Sequence, residues 1–541
     1  MTQQIYIYDT TLRDGTQSED VQLTMQDKLK IALRLDELGV HYIEAGWPGS
    51  NPVDVEFFHE LQRHTLKTAK ISAFGSTHHP ATTADKDANL NAIIAARTHA
   101  AVLFGKSCEH HAKEALRIEP ELNLTIIENS LAYVGQHVAE IFFDAEHFFD
   151  AYKRNATYAL EVLKRAHGAG AQCLALCDTN GGTMPHEVHA IVTAVRQALP
   201  DAMIGIHAHN DCEMAVANSI AAVQAGARQI QGTINGIGER CGNANLSSII
   251  PVLELKSGGA YTTLPEGHLQ QVTAVSSYVA EVANQPLFSR QPFVGRSAFA
   301  HKGGVHVSAI NRNSSLYEHI EPETVGNSQR VLITELAGRS NIVSLAKRFG
   351  FHLDKDEPVV KGLMHELKKK TSLGYDYAAA EASVELLLLR KLARRGVREF
   401  FTLKQFRVQE SRLGSELEPT SEATVMVDVE GVIEHTAATG LGPVNALDNA
   451  LRKALVGFYP RIGEMRLVDF KVRVLTGKAE DGGTASTVRV LVESSDAQSR
   501  WVTVGVSYNI IEASWQAVAD SITYKLYKDE QEHRGTQGTI D

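Results

Sequence analysis

The sequence predicts an α/β protein: a parallel TIM (β/α)8 barrel, then helical linker subdomains, then a C-terminal α+β domain. Three observations carry that expectation. Eight short apolar runs, each ending in polar or glycine residues and each leading into a helical stretch, occupy the first 245 residues. After Pro251 this rhythm stops. From about residue 399 the chain turns β-rich and repeats a strand, glycine-turn, helix order.

The runs are Ile5–Thr11, Tyr42–Trp47, Lys70–Ser76, Ala101–Lys106, Val138–Asp144, Gln172–Asp178, Met203–His209 and Gln229–Asn235. Strands that alternate with helical patterns imply parallel βαβ units. Eight is the number that closes a barrel; an open doubly wound sheet is the alternative. The first helix shows the local signals. Thr24 caps it, with Asp27 as the acidic partner of a capping box. Leu29, Ile31, Leu33, Leu35 and Leu38 form its apolar face, and Gly39 ends it.

Residues 286–398 carry scattered helices and polar loops. Within them Ala378–Arg395 is a strong helix former, and its leucine block suits a core or a subunit interface. Further on, Ala423–Val429 with Gly440–Leu455, and Thr487–Val492 with Gly505–Leu526, read as two similar halves of one domain. It lacks a dense cluster of catalytic residue types, which favours regulation or oligomerisation. The expected division is 1–285 for a catalytic barrel, 286–398 for the linker subdomains and 399–541 for a regulatory and dimerisation domain.

Composition removes several classes. With 43% hydrophobic and 22% charged residues, the 541-residue chain is ordinary for a globular protein. A net charge of -11 argues against nucleic acid as a partner. No apolar run approaches the roughly 18 residues of a membrane helix, and Met1–Asp14 lacks the charged start of a secretory signal. Five cysteines without paired spacing read as reduced thiols in a cytoplasmic protein.

In a barrel of this kind, reactive groups gather at the C-terminal ends of the strands. The first run leads into Arg13 and Asp14, the seventh ends in His207 and His209, and the eighth leads through Gly238, Glu239 and Arg240 to Asn243. His207 and His209 are two apart on a strand, so both rings face one side. Two imidazoles and a carboxylate are a common divalent-metal set. Strands one, seven and eight meet in a closed barrel, so Asp14 and Asn243 can join the histidines. Mixed nitrogen and oxygen donors suit Mn²⁺, Mg²⁺ or Zn²⁺; the plain alternative is two polar residues at a strand end. Arg13, a permanently charged fork beside Asp14, can polarise a carbonyl and hold the oxyanion that forms on it. Thr179 offers a hydroxyl for a carboxylate, or belongs to a turn stabilised by Asp178 and Asn180. Asp144 and Glu146 close the fifth strand as acid–base groups, substrate orienters or structural members of a partly apolar segment.

Three patterns are set aside. Gly236–Gly242 nearly matches a dinucleotide fingerprint, but its third glycine is one residue late and it follows the last barrel strand. His186-Glu187-Val188-His189 is one residue short of zinc-protease spacing. His110-His111 reads as part of a solvated loop.

Asp9-Thr10-Thr11-Leu12-Arg13-Asp14-Gly15, His207-Ala208-His209-Asn210-Asp211 and Gly236-Ile237-Gly238-Glu239-Arg240-Cys241-Gly242-Asn243 together resemble the pyruvate-carboxyltransferase-like metal-dependent barrels. That family includes 2-isopropylmalate, homocitrate and citramalate synthases and hydroxymethylglutaryl-CoA lyase. His301-Lys302-Gly303-Gly304-Val305-His306 resembles the linker motif of the synthases, and the last 140 residues resemble their leucine- or isoleucine-sensing domain. Ile43–Pro52 and Phe143–Asp150 look most like the citramalate-forming branch.

The resemblance implies roles. Asp14, His207, His209 and Asn243 match metal ligands, Arg13 the residue that polarises the keto group, Thr179 the carboxylate binder and Glu146 the active-site glutamate. Asp144, placed with the substrate, stands where isopropylmalate synthases often carry serine. His306 and Tyr317 match residues given to the partner subunit's active site. The implied reaction condenses acetyl-CoA with pyruvate, in a homodimer regulated by isoleucine. An isopropylmalate synthase using 2-oxoisovalerate is the nearest rival. A carbon–carbon lyase of the same superfamily, or a sensor on a dead barrel, fits less of the chain.

Overall fold

The computed structural model describes residues 2–301, 306, 309–310, 312–331, 339–348, 351–377, 380–392, 398–412, 418–475 and 486–537. The chain forms two compact units, Met1–Phe299 with Glu318–Gln329, and Ala300–Tyr317 with Arg330–Asp541.

In the first unit, eight parallel strands close a barrel in chain order. They are β1 (Tyr6–Asp9), β2 (Tyr42–Gly46), β3 (Lys70–Ser76), β4 (Ala100–Lys106), β5 (Glu140–Glu146), β6 (Cys173–Asp178), β7 (Met203–Ala208) and β8 (Gln229–Gly232). β8 returns to β1, with Tyr8 opposite Gln231. Each expected run overlaps one strand, and the closed barrel excludes the open sheet. Most boundaries shift by a residue or two, and the shifts at β5 and β8 have a visible cause. β5 starts at Glu140 and reaches Glu146, because its ladder with β4 continues to the pair Lys106 and Glu146. β8 stops at Gly232, since Ile234–Gly236 coils into a tight turn with Asn235 left-handed at φ 64°.

Alternation along the strands fills the barrel interior. Tyr8, Tyr42, Phe74, Val102 and Phe142 form one buried cluster, with Tyr42 edge-on to Phe142 at 5.2 Å. The larger core lies between strands and helices. The first helix, Met25–Leu38, has the expected capping box between Thr24 and Asp27 and ends at left-handed Gly39. Leu29, Ile31, Leu35 and Leu38 are buried; Leu33, off the helical period, is half-buried. Lys28 on this helix pairs with Asp54 on the next, Pro52–Leu61, with side chains 3% and 5% exposed. Asp54 also accepts from the Trp47 amide at 2.8 Å, so the pair anchors the loop after β2.

In the second unit, helices Arg339–Arg348, Pro358–Ser372 and Glu381–Leu392 share an apolar core. Of the expected helix Ala378–Arg395, residues 378–379 and 393–395 lie outside the described residues. Two antiparallel sheets follow: β9 (Thr402–Ser411), β10 (Thr420–Val429) and β11 (Val432–Gly440), then β12 (Arg466–Val474), β13 (Val488–Ser495) and β14 (Arg500–Ser507). Each is followed by a helix, Pro443–Leu455 and Ile510–Gln537. Ala423, Val425, Val427 and Val429 alternate inward on β10, and Ala446, Leu447, Ala450 and Leu451 belong to the same core.

The internal repeat is therefore three strands and a helix, not one strand and a helix. The expectation that Gly505 lies in a turn before a helix is corrected: it is inside β14. A Cβ there would collide with the Ala513 carbonyl, and one at Gly440 with the backbone of Ala446. Both glycines let a strand approach the helix that follows it. All five cysteines are free. Among the described residues, no helix is long and apolar enough to cross a membrane.

Replacing Asp54 by alanine strands the Lys28 charge in the core. Asp54→Ala should destabilise the barrel by about 3–5 kcal/mol, read as a lower midpoint of its urea transition; an unchanged midpoint would show that the pair contributes nothing.

Candidate active site

β1 ends at Asp9, and the chain then turns sharply. The amides of Arg13, Asp14 and Gly15 all donate to the Thr10 carbonyl, at 3.1, 2.9 and 3.1 Å. This turn aims Arg13 and Asp14 into the barrel mouth. Arg13 Nε donates to Glu44 Oε1 at 2.5 Å, Nη1 lies 3.6 Å from Asp14 Oδ2, and the guanidinium covers the Phe74 ring at 3.7 Å. Glu44 is fully buried on β2 and also accepts from the Tyr8 hydroxyl at 2.9 Å. Burial opposes the Arg13 charge, but Glu44 and Asp14 outweigh it and hold the guanidinium above its ordinary value.

One ligand atom each from Asp14, His207 and His209 falls within 4.8 Å of the others, and all three residues are buried. His207 Nε2 lies 3.1 Å from Asp14 Oδ2. Burial would raise the Asp14 carboxyl; Arg13 and the two histidines hold it far below the usual range. Burial would likewise lower His207, but Asp14 raises it. His209, without such a partner, is pushed down to about 4 by burial and by His207. Two buried atoms here lack a hydrogen-bond partner, His209 Nδ1 and Asn243 Oδ1, and their residues face each other across a bridge. An orphaned buried polar atom costs about 1–3 kcal/mol, and a cation satisfies both acceptors. The group could thus hold a metal ion, with a donor set that suits a divalent one. Gly242, at φ 88°, completes the loop that presents Asn243; a Cβ there would strike the Gly236 carbonyl. The near-fingerprint of glycines serves this turn.

These residues open onto a cavity of about 220 Å³. Arg13, Asp14, Asp144, Glu146, Thr179, His207 and His209 line it, with Trp47, Phe74 and Phe104 as an aromatic wall. Trp47 stands edge-on to both phenylalanines, at 5.4 and 5.6 Å. Asp144 is raised to about 7 by burial and then by the Glu44 charge. Glu146 is ion-paired with Lys106, its register partner on β4. Thr179 Oγ1 accepts from the His147 amide at 2.8 Å, which leaves its own proton to donate. His306 and Tyr317 are in the second unit, with rings 4.3 Å apart and both exposed; Lys302, Gly303, Gly304 and Val305 of the linker motif lie outside the described residues.

Sequence reasoning missed four contributors. Glu44 holds Arg13, Lys106 holds Glu146, and Gln231 hydrogen-bonds Asp144 at 2.8 Å. Arg240 binds both carboxylate oxygens of Asp211, at 2.7 and 2.8 Å, and the Thr179 carbonyl at 2.8 Å. The available signal was a charged or amide residue at a core-facing strand position, as in Ile43-Glu44-Ala45. The solvated-loop reading of His110-His111 is corrected as well: both lie in the helical turn Glu109–His111, and the His111 ring meets His147 at 4.4 Å. Only His110 is exposed.

Residues 4–279 match the family model HMGL-like, residues 293–373 the homocitrate synthase post-HMGL domain-like model, and residues 378–526 the LeuA allosteric (dimerisation) domain. The chain is 51% identical over 532 residues to an (R)-citramalate synthase of Aquifex aeolicus, covering 98% of this chain and 99% of that one. It is 53% identical over 527 residues to one of Geobacter sulfurreducens, covering 97% and 98%. The chain belongs to the (R)-citramalate synthase family. A 2-isopropylmalate synthase of Methanocaldococcus jannaschii is more distant, at 32% identity over 533 residues, 97% of this chain and 96% of that one. As a citramalate synthase the chain is an acyltransferase, and its β9–β14 region is the allosteric dimerisation domain of the family.

If the buried triad binds metal, Mn²⁺ at 100 times its dissociation constant should stabilise the chelator-stripped protein by about 2.7 kcal/mol. His209→Ala should abolish that gain. A melt indifferent to Mn²⁺ would remove the metal assignment.

Proposed function

We propose that the barrel condenses acetyl-CoA with pyruvate and, with one water, releases citramalate and CoA. The observation that carries this reading is the cavity itself: a keto-acid-sized space where Arg13 and the Asp14–His207–His209 group meet an aromatic wall. The likeness of the Gly46–Pro52 segment, which carries Trp47, to the citramalate-forming branch favours pyruvate over a branched keto acid. One methylene in such a pocket is worth about 1–3 kcal/mol.

A divalent ion, Mn²⁺, Mg²⁺ or Zn²⁺, held by Asp14, His207, His209 and Asn243 supplies Lewis-acid polarisation of the keto group. Arg13, fixed by Glu44, donates to the keto oxygen as it gains negative charge. The free Thr179 proton binds the keto-acid carboxylate, and Asp144 borders the same space. The methyl proton of acetyl-CoA goes to a base acting through His306 and a water, and Glu146 is the strand-five glutamate of the site. The methyl carbon then bonds to the keto carbon as its C=O π bond opens, the resulting alkoxide takes back the proton held by the base, and water adds to the thioester carbonyl and expels the CoA thiol. His306 and Tyr317 we assign to the partner's cavity in a homodimer, on the family resemblance. On this reading residues 1–285 carry the chemistry, 286–398 link, and 399–541 regulate and dimerise.

A panel of keto acids with acetyl-CoA, followed by thiol release, tests the reaction. Pyruvate should be turned over fastest; equal or better turnover of 2-oxoisovalerate would make the chain an isopropylmalate synthase.

Isoleucine is the proposed effector, since citramalate leads toward it. Isoleucine should inhibit the full-length enzyme and bind by calorimetry, and leucine less so. Absence of both effects for both amino acids would leave dimerisation as the C-terminal domain's role.

A further inference from the structure

A hydrogen-bond chain inside the barrel joins two parts of the site. Gln231 is fully buried on β8. Its Nε2 donates to Asp144 Oδ1 at 2.8 Å, and its Oε1 lies 2.8 Å from His207 Nδ1. His207 stands opposite Gln231 in the β7–β8 register, so the ladder fixes the spacing. At one end His207 reaches Asp14 through Nε2; at the other, Asp144 borders the cavity.

A primary amide has one donor end and one acceptor end. Committed through its NH₂ to a carboxylate oxygen, Gln231 can only accept from His207. The imidazole therefore donates from Nδ1, which leaves Nε2 for the Asp14 side: it donates to that carboxylate while no cation is bound, and its lone pair is the one open to a cation that displaces the proton. A second partner of this kind both orients a ligand ring and selects its tautomer.

We propose that Gln231 is the positioning residue of the metal centre, and that the chain Asp144–Gln231–His207 couples the keto-acid cavity to the His207 ligand atom. The inference rests on the metal reading of Asp14, His207 and His209. It makes Asp144 more than a wall of the cavity: its carboxylate sets which way the Gln231 amide faces, and thereby which nitrogen of His207 is free. Metal affinity and keto-acid binding become linked quantities, with equal effects in both directions.

The test uses full-length, chelator-stripped protein and Mn²⁺ alone, titrated calorimetrically. Gln231→Leu should weaken Mn²⁺ binding about 10- to 100-fold. Gln231→Glu alone should weaken it too, because two carboxylates would then meet. Combining Gln231→Glu with Asp144→Asn reverses the donor and acceptor between the two residues, keeps the net charge and still accepts from His207 Nδ1. That double variant should recover most of the lost affinity, a rescue that a purely structural role for Gln231 does not provide. In the metal-free parent, the ¹⁵N shifts of His207 should report a proton on Nδ1. Parental Mn²⁺ affinity in Gln231→Leu, a double variant no better than its singles, or an Nδ1 without a proton would each overturn the proposal. A parent that binds no Mn²⁺ would instead overturn the metal reading, and the ¹⁵N measurement would still decide the chain.

Discussion

A guanidinium buried in a barrel mouth demands a carboxylate beside it, and the pairing of Arg13 with Glu44 is the constraint around which the site is arranged. Burying an unpaired charge costs several kcal/mol. Glu44 removes that cost and fixes the fork, so that Nη1 faces Asp14 and the plane rests on Phe74. The same Glu44 receives the Tyr8 hydroxyl, which also bonds Ser72, so β1, β2 and β3 are tied together beneath the reacting groups. Arg13 in turn keeps Asp14 ionised, as a metal ligand must be. The negative field of Glu44 has a second effect: after burial, it is the next cause that raises the Asp144 carboxyl to about 7.

Much of this was legible in the sequence where the signal is local. Strand and helix alternate with a short period, so all eight barrel strands could be counted. Arg13, Asp14, His207 and His209 stand in compact motifs at strand ends, where barrel chemistry gathers. What could not be read depends on partners far along the chain. Glu44 is 31 residues from Arg13, and Gln231 is 87 from Asp144; no periodicity reports such pairings. The outer strands of the C-terminal sheets were missed for another reason. Thr402–Ser411 alternates exposed and half-buried residues and carries charges, so it has no apolar run. Gly505 was misread because a glycine that admits a close-packed helix looks, in sequence, like one that makes a turn.

The two halves of the C-terminal domain solve one packing problem twice. In each, three antiparallel strands bury a single face under a helix, and a strand glycine removes the side chain that would hold them apart. Lys525 shows how far the second half departs from the first. It is almost wholly buried, bonded to Asp529 at 2.8 Å and Glu464 at 3.1 Å, with Asp496 3.3 Å away. That cluster pins the long final helix to the segment before β12 and to the β13–β14 turn.

The loops after β6, β7 and β8 are stitched into one plate. Arg240 grips Asp211 and the Thr179 carbonyl, the Cys212 amide reaches the Gly181 carbonyl at 3.1 Å, and the Asn210 amide reaches the Gly242 carbonyl at 2.9 Å. None of these loops can lift without the other two. The aromatic side of the cavity has a separate footing: the Trp47 indole donates to Asn89 at 2.6 Å and its amide to Asp54 at 2.8 Å. A change in any one of the three loops therefore displaces groups from all of them together, while the tryptophan side, rooted in another stretch of chain, keeps its place.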